Sequence, residues 1–537
     1  MNLLEHFIIL PIVAPLIGAA LTLVTADKWR RHITLSTVLL VAATSLGLLW
    51  ASSTASDAQF GEAHVYRLGD WPAPFAIVLV SDRLSALMLA LTSTLAVAAL
   101  TFSFARWDHA GPRFHALFLL LMMGLNGAFL TGDVFNLFVF FEVLLAASYG
   151  LLLHGTGVPR VKAGVHYIAI NLAASSLFLI GVAMIYGVTG TLNMADIATA
   201  IPNVPAENRA LLEAGCALLG VAFLVKAGMW PLGFWLPPAY SAASAPAAAM
   251  FAIMTKLGVY VVLRLSMLMF GPEAEASAGF GGPWLLIGGV ATILFGAVGA
   301  FATTSMSRIA GFCVLMSSGT LLAVIGAGAE RALPGALFYL IASTLAASAF
   351  FLLIELINRA RGTTAPAETE AVFDDEYRDP YDDDAQEVRF LIPATIGLLS
   401  GAFLLSTLLL AAMPPLPTFI GKFAIIAGLM PETGNAPFST WVLIGALTFS
   451  SLATLLALTR IGIEVFWAST LSPPQMRAPE GAAIGALLTV CLLLTVFGGP
   501  ATRYLAATAA WLHSPGDYIQ AVRSTEPSIA PIAERER

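Results

Sequence analysis

Apolar stretches of about twenty residues, separated by short polar connections, run through the chain from residue 4 to residue 498. At about 20 apolar residues per membrane crossing, they predict fourteen helices: 4–24, 33–52, 79–104, 114–131, 133–153, 164–187, 209–229, 246–270, 284–302, 308–328, 334–357, 390–411, 439–467 and 481–498. A further stretch, 417–430, reads as the second half of a broken twelfth helix. Helical periodicity adds little, because a crossing helix is apolar both where it meets lipid and where it packs. The pattern predicts an all-α polytopic membrane protein. Two connections differ from the rest. Residues 53–78 are polar and include the run Asp70-Trp71-Pro72, which predicts an ordered cap outside the membrane. Residues 360–389 hold ten acids between Glu368 and Glu387, the composition of a solvated loop or of a docking site for a basic partner. From Ser514 the tail is polar.

Of 537 residues, 58% are hydrophobic and 11% charged, which excludes a soluble multidomain protein. Cys216, Cys313 and Cys491 fall in separate spans with no CxxC pair, so they read as small buried apolar residues rather than disulfide, zinc or iron–sulfur ligands. The net charge of −7 comes partly from the acidic loop, and no basic run of the kind that tracks nucleic-acid phosphates is present. Neither a P-loop nor a redox-cofactor motif occurs, so no cofactor is expected. Glu5 stands where a signal peptide would be basic, so residues 4–24 read as a first membrane helix and not a cleaved leader. With the N-terminus outside, the inner loops collect fourteen basic residues against six on the outer side, which predicts both termini to be extracytoplasmic.

Charge inside the spans is the informative part. The chain has five lysines. Lys28 and Lys162 lie in predicted loops, whereas Lys226, Lys256 and Lys422 lie in or beside apolar spans. A lysine at bilayer depth costs about 2.5–3.5 kcal/mol or more. Glu142, in the middle of the fifth span, adds one acid. Three buried bases and one buried acid with no cofactor motif point to movement of protons or cations through the membrane. Each has a blander reading. Lys226 could snorkel to the interface, and Lys422 could satisfy carbonyls freed by Pro414, Pro415 and Pro417. A carboxylate at the depth of Glu142 either takes up a proton or is held ionised by a base, and a Glu142–Lys226 switch would place both in lipid economically. His166, with Asn171 nearby, is suited to a proton relay or to a hydrogen bond between helices. Asp82 and Arg83 read as a structural pair, and Asp133 as a helix cap with Asn136. A short internal repeat is also visible: Ala227-Gly228-Met229 and Pro231-Leu232 match Ala411-Ala412-Met413 and Pro415-Leu416. Proline inside an apolar helix breaks it, and paired breaks of this kind mark inverted-repeat transporters.

The segments LTGDVFNLFVFFEVLLAASYGLLLHG, FLVKAGMWPLGFWLPPAYSAASAP and PPLPTFIGKF resemble the antiporter-like membrane subunits of respiratory complex I and of multisubunit Mrp-type cation/proton antiporters, over roughly residues 1–500. The resemblance implies two inverted five-helix repeats with broken helices 7 and 12. The implied division is 1–110 (helices 1–3), 111–272 (helices 4–8), 273–470 (helices 9–13, with the acidic loop 360–389), 471–513 (helix 14 and an amphipathic end) and 514–537 (tail). It implies that Glu142 and Lys226 act as a pair, and that Lys256 and Lys422 continue a central proton axis. Many relatives carry a histidine on helix 11. Here Ser343, Thr344 and Ser348 stand in that helix, so bound water held by hydroxyls would have to bridge Lys256 and Lys422. The implied function is a proton-translocating subunit, not itself an enzyme, of a hetero-oligomeric antiporter exchanging Na+ or K+ for protons across a bacterial cytoplasmic membrane. Its implied partners are the other subunits of such a complex. The alternative is a proton-pumping subunit of a membrane redox complex.

Overall fold

In the computed structural model, residues 3–54, 63–71, 77–111, 113–361, 392–431, 436–466 and 476–524 are described. They form nineteen α-helices: α1 (Leu3–Val24), α2 (Asp27–Thr54), α3 (Arg83–Ser103), α4 (Phe114–Leu130), α5 (Val134–Leu152), α6 (Val158–Thr189), α7 (Met194–Ala200), α8 (Ala206–Ala227), α9 (Leu236–Ala242), α10 (Ala245–Met269), α11 (Gly282–Ala302), α12 (Met306–Ala327), α13 (Leu333–Ala360), α14 (Ile392–Leu410), α15 (Pro417–Leu429), α16 (Phe438–Phe466), α17 (Ala478–Val496), α18 (Gly498–Leu512) and α19 (Pro515–Ser524). Twelve are long and apolar enough to cross a membrane. The remaining predicted crossings are α4, whose 17 residues reach the lower limit for a span, and the interrupted pair α14–α15. The protein is a multi-pass membrane protein. Lys28 lies in the first turn of α2 and Lys162 at the start of the second turn of α6, both of which begin earlier than the hydropathy pattern suggests, and both side chains are exposed. Of the expected cap, an antiparallel hairpin of β1 (His64–Arg67) and β2 (Val78–Ser81) is described; residues 55–62 and 72–76 lie outside the described ones, as do acidic residues 362–391 and the tail from 525.

Burial is uneven. Helix α10 is enclosed throughout its apolar stretch, with α12, α13 and α3 nearly so, while in α1, α2, α6, α11 and α17 fewer than half of the residues of that stretch are buried. An exposed face of leucine and phenylalanine is expected where the solvent is lipid. The enclosed helices are therefore where a charge is best hidden from it.

The two ends of the bundle are held by different means. At one, α3 and α13 finish and α4, α6 and α17 begin, and basic side chains tie connections together. There, Arg160 donates to the Ala242 carbonyl at 3.0 Å, and Arg31 to Asp108 and to the Phe104 carbonyl. At the other end Asp82 caps α3 through Ser85 and forms a bidentate pair with Arg264 of α10. This corrects the expected Asp82–Arg83 pair: neighbouring residues point in different directions, and Arg83 instead stacks on Tyr504. Asp133 does cap α5, accepting from the Asn136 amide at 2.7 Å.

Both breaks expected from proline are present. The α8 helix ends with Gly228 in the left-handed region, where its amide bonds Val225 and that of Met229 bonds Leu224. Helix α14 ends identically: Ala412 is left-handed, its amide bonds Leu409 and that of Met413 bonds Leu408. A cis bond follows each, Trp230–Pro231 and Pro414–Pro415. The hydrogen-bond pattern repeats residue for residue along the short match seen in the sequence.

Candidate functional site

Three lysines sit in the interior at Lys226 (1% exposed), Lys256 (1%) and Lys422 (7%). None snorkels. Each is met by hydroxyl or aromatic groups of a neighbouring helix, and none has a carboxylate within ion-pair distance among the described residues.

Lys226 occupies the last turn of α8, where the helix dipole favours a cation. Its Nζ donates to the Tyr167 hydroxyl at 3.3 Å and the Asn171 side-chain oxygen at 3.5 Å, both on α6. It also lies over the rings of Phe141 and Tyr167, 5.5 and 5.4 Å from their centroids, a contact that stabilises an ammonium out of water. Tyr167 in turn exchanges a hydrogen bond with Ser148 at 2.8 Å. Glu142 is one helix away on α5. It accepts from Ser175 of α6, and its carboxylate is the charged group whose field acts on Lys226. The two form no ion pair; α6 supplies a hydrogen-bond partner to each. Glu142 is half-buried, on a stripe of α5 that also exposes Phe135 and Val139.

Lys256 stands midway along α10. Its Nζ donates to Ser317 and, at 3.3 Å, to Ser318, both on α12. Beside it, Thr255 and the Tyr240 hydroxyl of α9 are 2.6 Å apart. The helices carrying Lys226 and Lys256 approach closely because Gly258 faces Ala227. A Cβ on Gly258 would lie 2.7 Å from the Ala227 amide and 2.8 Å from the Phe223 carbonyl.

Lys422, on α15 beyond the second break, donates to Ser450 at 3.0 Å, Ser451 at 2.8 Å and the Leu447 carbonyl at 3.4 Å, all on α16. Its Nζ lies 5.7 Å from the Tyr339 ring centroid. A cavity with room for about one water joins this group to the previous one: Lys422, Ser450 and Thr418 line it together with Ser343 and Ser317, the hydroxyl that meets Lys256.

Of the three hydroxyls singled out on the eleventh span, the structure brings only Ser343 to this cavity. Thr344 bonds its own helix at the Leu340 carbonyl, and Ser348 bonds the Ala249 carbonyl of α10 at 2.8 Å. His166 is exposed on the outer face of α6, with Nδ1 2.9 Å from the Lys162 carbonyl; it meets none of the lysines. The sequence reading missed the hydroxyl partners, although a signal exists. Adjacent serines occur at Ser175-Ser176, Ser317-Ser318 and Ser450-Ser451, deep within apolar stretches, and these three pairs each meet one of the charged side chains, whereas Ser52-Ser53 at the end of α2 does not.

The family described as NADH:quinone oxidoreductase/Mrp antiporter, TM matches residues 131–454. The chain is 52% identical to a probable K+/H+ antiporter subunit of Rhizobium meliloti (strain 1021), an alignment covering 97% of this chain and 98% of the relative. It is 31% identical to an Na+/H+ antiporter subunit of Alkalihalophilus pseudofirmus, covering 97% and 99%. Its fold is similar to a chain in the structure of the Mrp complex from Dietzia sp. DQ12-45-1b, with a TM-score of 0.80, 26% identity, and coverage of 97% of this chain and 100% of that one.

Proposed function

Because this chain belongs to the NADH:quinone oxidoreductase/Mrp antiporter transmembrane family, we propose that it is the proton-translocating subunit of a hetero-oligomeric antiporter. That antiporter exchanges Na+ or K+ for protons in a bacterial cytoplasmic membrane. The observation that carries the reading is the chain of buried lysines, each held by neutral groups. A serine hydroxyl both donates and accepts, so it serves an ammonium by accepting and a neutral amine by donating. A lysine held this way keeps a partner in either protonation state.

Protons would move along the mid-plane from Glu142 and Ser175 through Asn171 and Tyr167 to Lys226. From there they pass to Lys256, and through Ser317, the cavity and Ser343 to Lys422. The matching breaks after α8 and α14 support two inverted repeats, helices 4–8 over residues 111–272 and helices 9–13 over residues 273–470. The basic end of the bundle faces the cytoplasm, which puts both termini outside. Glu142, half-buried on an outward stripe of α5, is the point at which a partner subunit would cover this chain and continue the path.

Lys256→Ala in the assembled complex tests the reading. In everted membrane vesicles, addition of Na+ or K+ should no longer dissipate an imposed pH gradient. Exchange at the wild-type rate from about pH 7 to 9 would leave Lys256 a packing residue and remove it from the path.

A further inference from the structure

The path above leaves several carboxylates of the bundle unused, and Glu355 is the one aligned with Lys256. Glu355 lies in the last turns of α13, its side chain 17% exposed. One oxygen accepts from the Trp107 indole at 2.6 Å; the other is 3.4 Å from Arg359, which Glu480 of α17 also holds at 2.5 Å. Two acids thus share one arginine. Arg106 and Arg160 also act on Glu355, Arg477 joins the group through Glu480 and the Ala105 carbonyl, and Arg160 lies over the Trp107 ring at 5.2 Å. This group closes the basic end of α3, α13 and α17.

The placement of Glu355 along α13 is what gives it a use. Ser348 lies seven residues earlier, two helical turns and about 10 Å away on the same face. The Ser348 hydroxyl reaches the Ala249 carbonyl of α10, and Lys256 lies seven residues beyond Ala249, again two turns on and on the same face. Between the two levels stands Tyr240, whose ring lies 6.3 Å from that of Phe351 and whose hydroxyl meets Thr255 beside Lys256. At the start of α10, Ser244 is 1% exposed and its hydroxyl has no hydrogen-bond partner among the described residues. Buried polar atoms of that kind mark places where water enters a structure.

We propose that Glu355 is the loading carboxylate through which protons reach Lys256 from the basic end of the bundle, along the polar line Ser244, Ser348, Tyr240 and Thr255. Glu355 takes a proton from the aqueous side and passes it through water along this line to the neutral Lys256 amine. The amine becomes an ammonium, and Glu355 returns to its carboxylate, held by Arg359 and Trp107, until it reloads. The inference rests on the reading of Lys256 as a titrating relay, so its test carries that variant alongside.

The test uses the whole complex in everted and right-side-out vesicles, with pH varied on one face at a time. Glu355→Gln keeps an acceptor for the Trp107 indole but cannot titrate. Exchange should fall at least ten-fold at saturating cation with normal assembly. The dependence of the rate on pH at the basic-end face should flatten while that at the opposite face persists; a purely structural clasp would not separate the faces. Glu355→Asp should restore the rate to within about three-fold. If Glu355→Gln does not assemble, Trp107→Phe decides: it removes a hydrogen bond to the carboxylate, and the basic-end profile should shift while the other stays. Wild-type rates and profiles in Glu355→Gln, with Lys256→Ala inactive, would overturn the inlet and leave the relay standing. Wild-type exchange in Lys256→Ala would overturn both.

Discussion

Replacing Lys422 with arginine separates a titrating lysine from a cation that merely satisfies a broken helix. Around Nζ the structure offers three acceptors, Ser450, Ser451 and the Leu447 carbonyl, and the adjoining cavity gives a larger head group room beside Ser343 and Thr418. Arginine can use all of these. Strain from its extra bulk should stay within the about 1–3 kcal/mol typical of overpacking, which an assembled complex tolerates. Its acid–base behaviour is the difference. A guanidinium holds its proton more tightly than a lysine ammonium by about two pH units or more, so in one environment the neutral form is rarer by about 100-fold or more. If the slow step passes through neutral Lys422, Lys422→Arg should lower exchange by about that factor. The measurement is the initial rate at which a pH-sensitive dye in everted vesicles reports gradient collapse on adding Na+ or K+, normalised to assembled complex on native gels. Lys422→Ala should be inactive under either reading and serves as the floor. Exchange in Lys422→Arg within about three-fold of wild type would refute a titrating role.

The other predictions test the neighbouring groups. Glu142→Gln should preserve the Ser175 contact and assembly yet abolish exchange, and near-normal vesicle transport would remove this acid from the path. Ser317→Ala combined with Ser318→Ala leaves Lys256 without its two hydroxyl partners; exchange should fall more than ten-fold, and a single Ser317→Thr should keep most of it. Gly258→Val places atoms against the α8 backbone at Ala227, so a loss of about 1–3 kcal/mol of stability should appear as a lower thermal midpoint of the detergent-purified complex. Asp82→Asn leaves Arg264 buried without its counter-charge, at about 3–5 kcal/mol; the amount of assembled complex should drop while surviving molecules exchange with an unaltered pH profile.

How far the sequence led depends on which forces left marks in it. Span number and order were legible because each crossing must supply its own run of apolar residues and satisfy its own backbone. The breaks were legible because Pro231, Pro414 and Pro415 cannot sit in a continuing helix, and the lysines because an ammonium in an apolar run is conspicuous. What was not legible is how side chains meet across helices. Glu142 and Lys226 suggest a direct pair by their chemistry, yet they form no ion pair, and α6 supplies Ser175 to one and Asn171 to the other. Asp82 found Arg264, 182 residues away, and not the arginine next to it, because partner choice is fixed by helix packing. In the same way Ser343, Thr344 and Ser348 look alike in sequence but face different neighbours, and only the first reaches the cavity. His166 looked like a relay group from its residue type; its position on α6 turns it outward.

The contrast between Asp82–Arg264 and the lysine groups shows how one bundle treats charge in two ways. Arginine and aspartate form a bidentate pair at the end of α10, and both partners are single-purpose: the guanidinium only donates and the carboxylate, while ionised, only accepts. Taking a proton from the guanidinium, or giving one to the carboxylate, leaves the other buried with no counter-charge, so the pair is locked, and a locked pair suits a joint between helices. The lysines in the same low-dielectric interior have serine, tyrosine and asparagine instead. These partners stabilise an ammonium less than a carboxylate would, and they lose less when the proton leaves, because Ser317, Ser450 and Ser451 can turn from acceptor to donor without moving their helices. Stabilising charge strongly and releasing it cheaply are opposed requirements. The chain meets the first at its ends with arginine and acid, and the proposed relay would meet the second with lysine and hydroxyl, so substituting an acid for Ser317 or Ser450 should trap the neighbouring lysine rather than improve it.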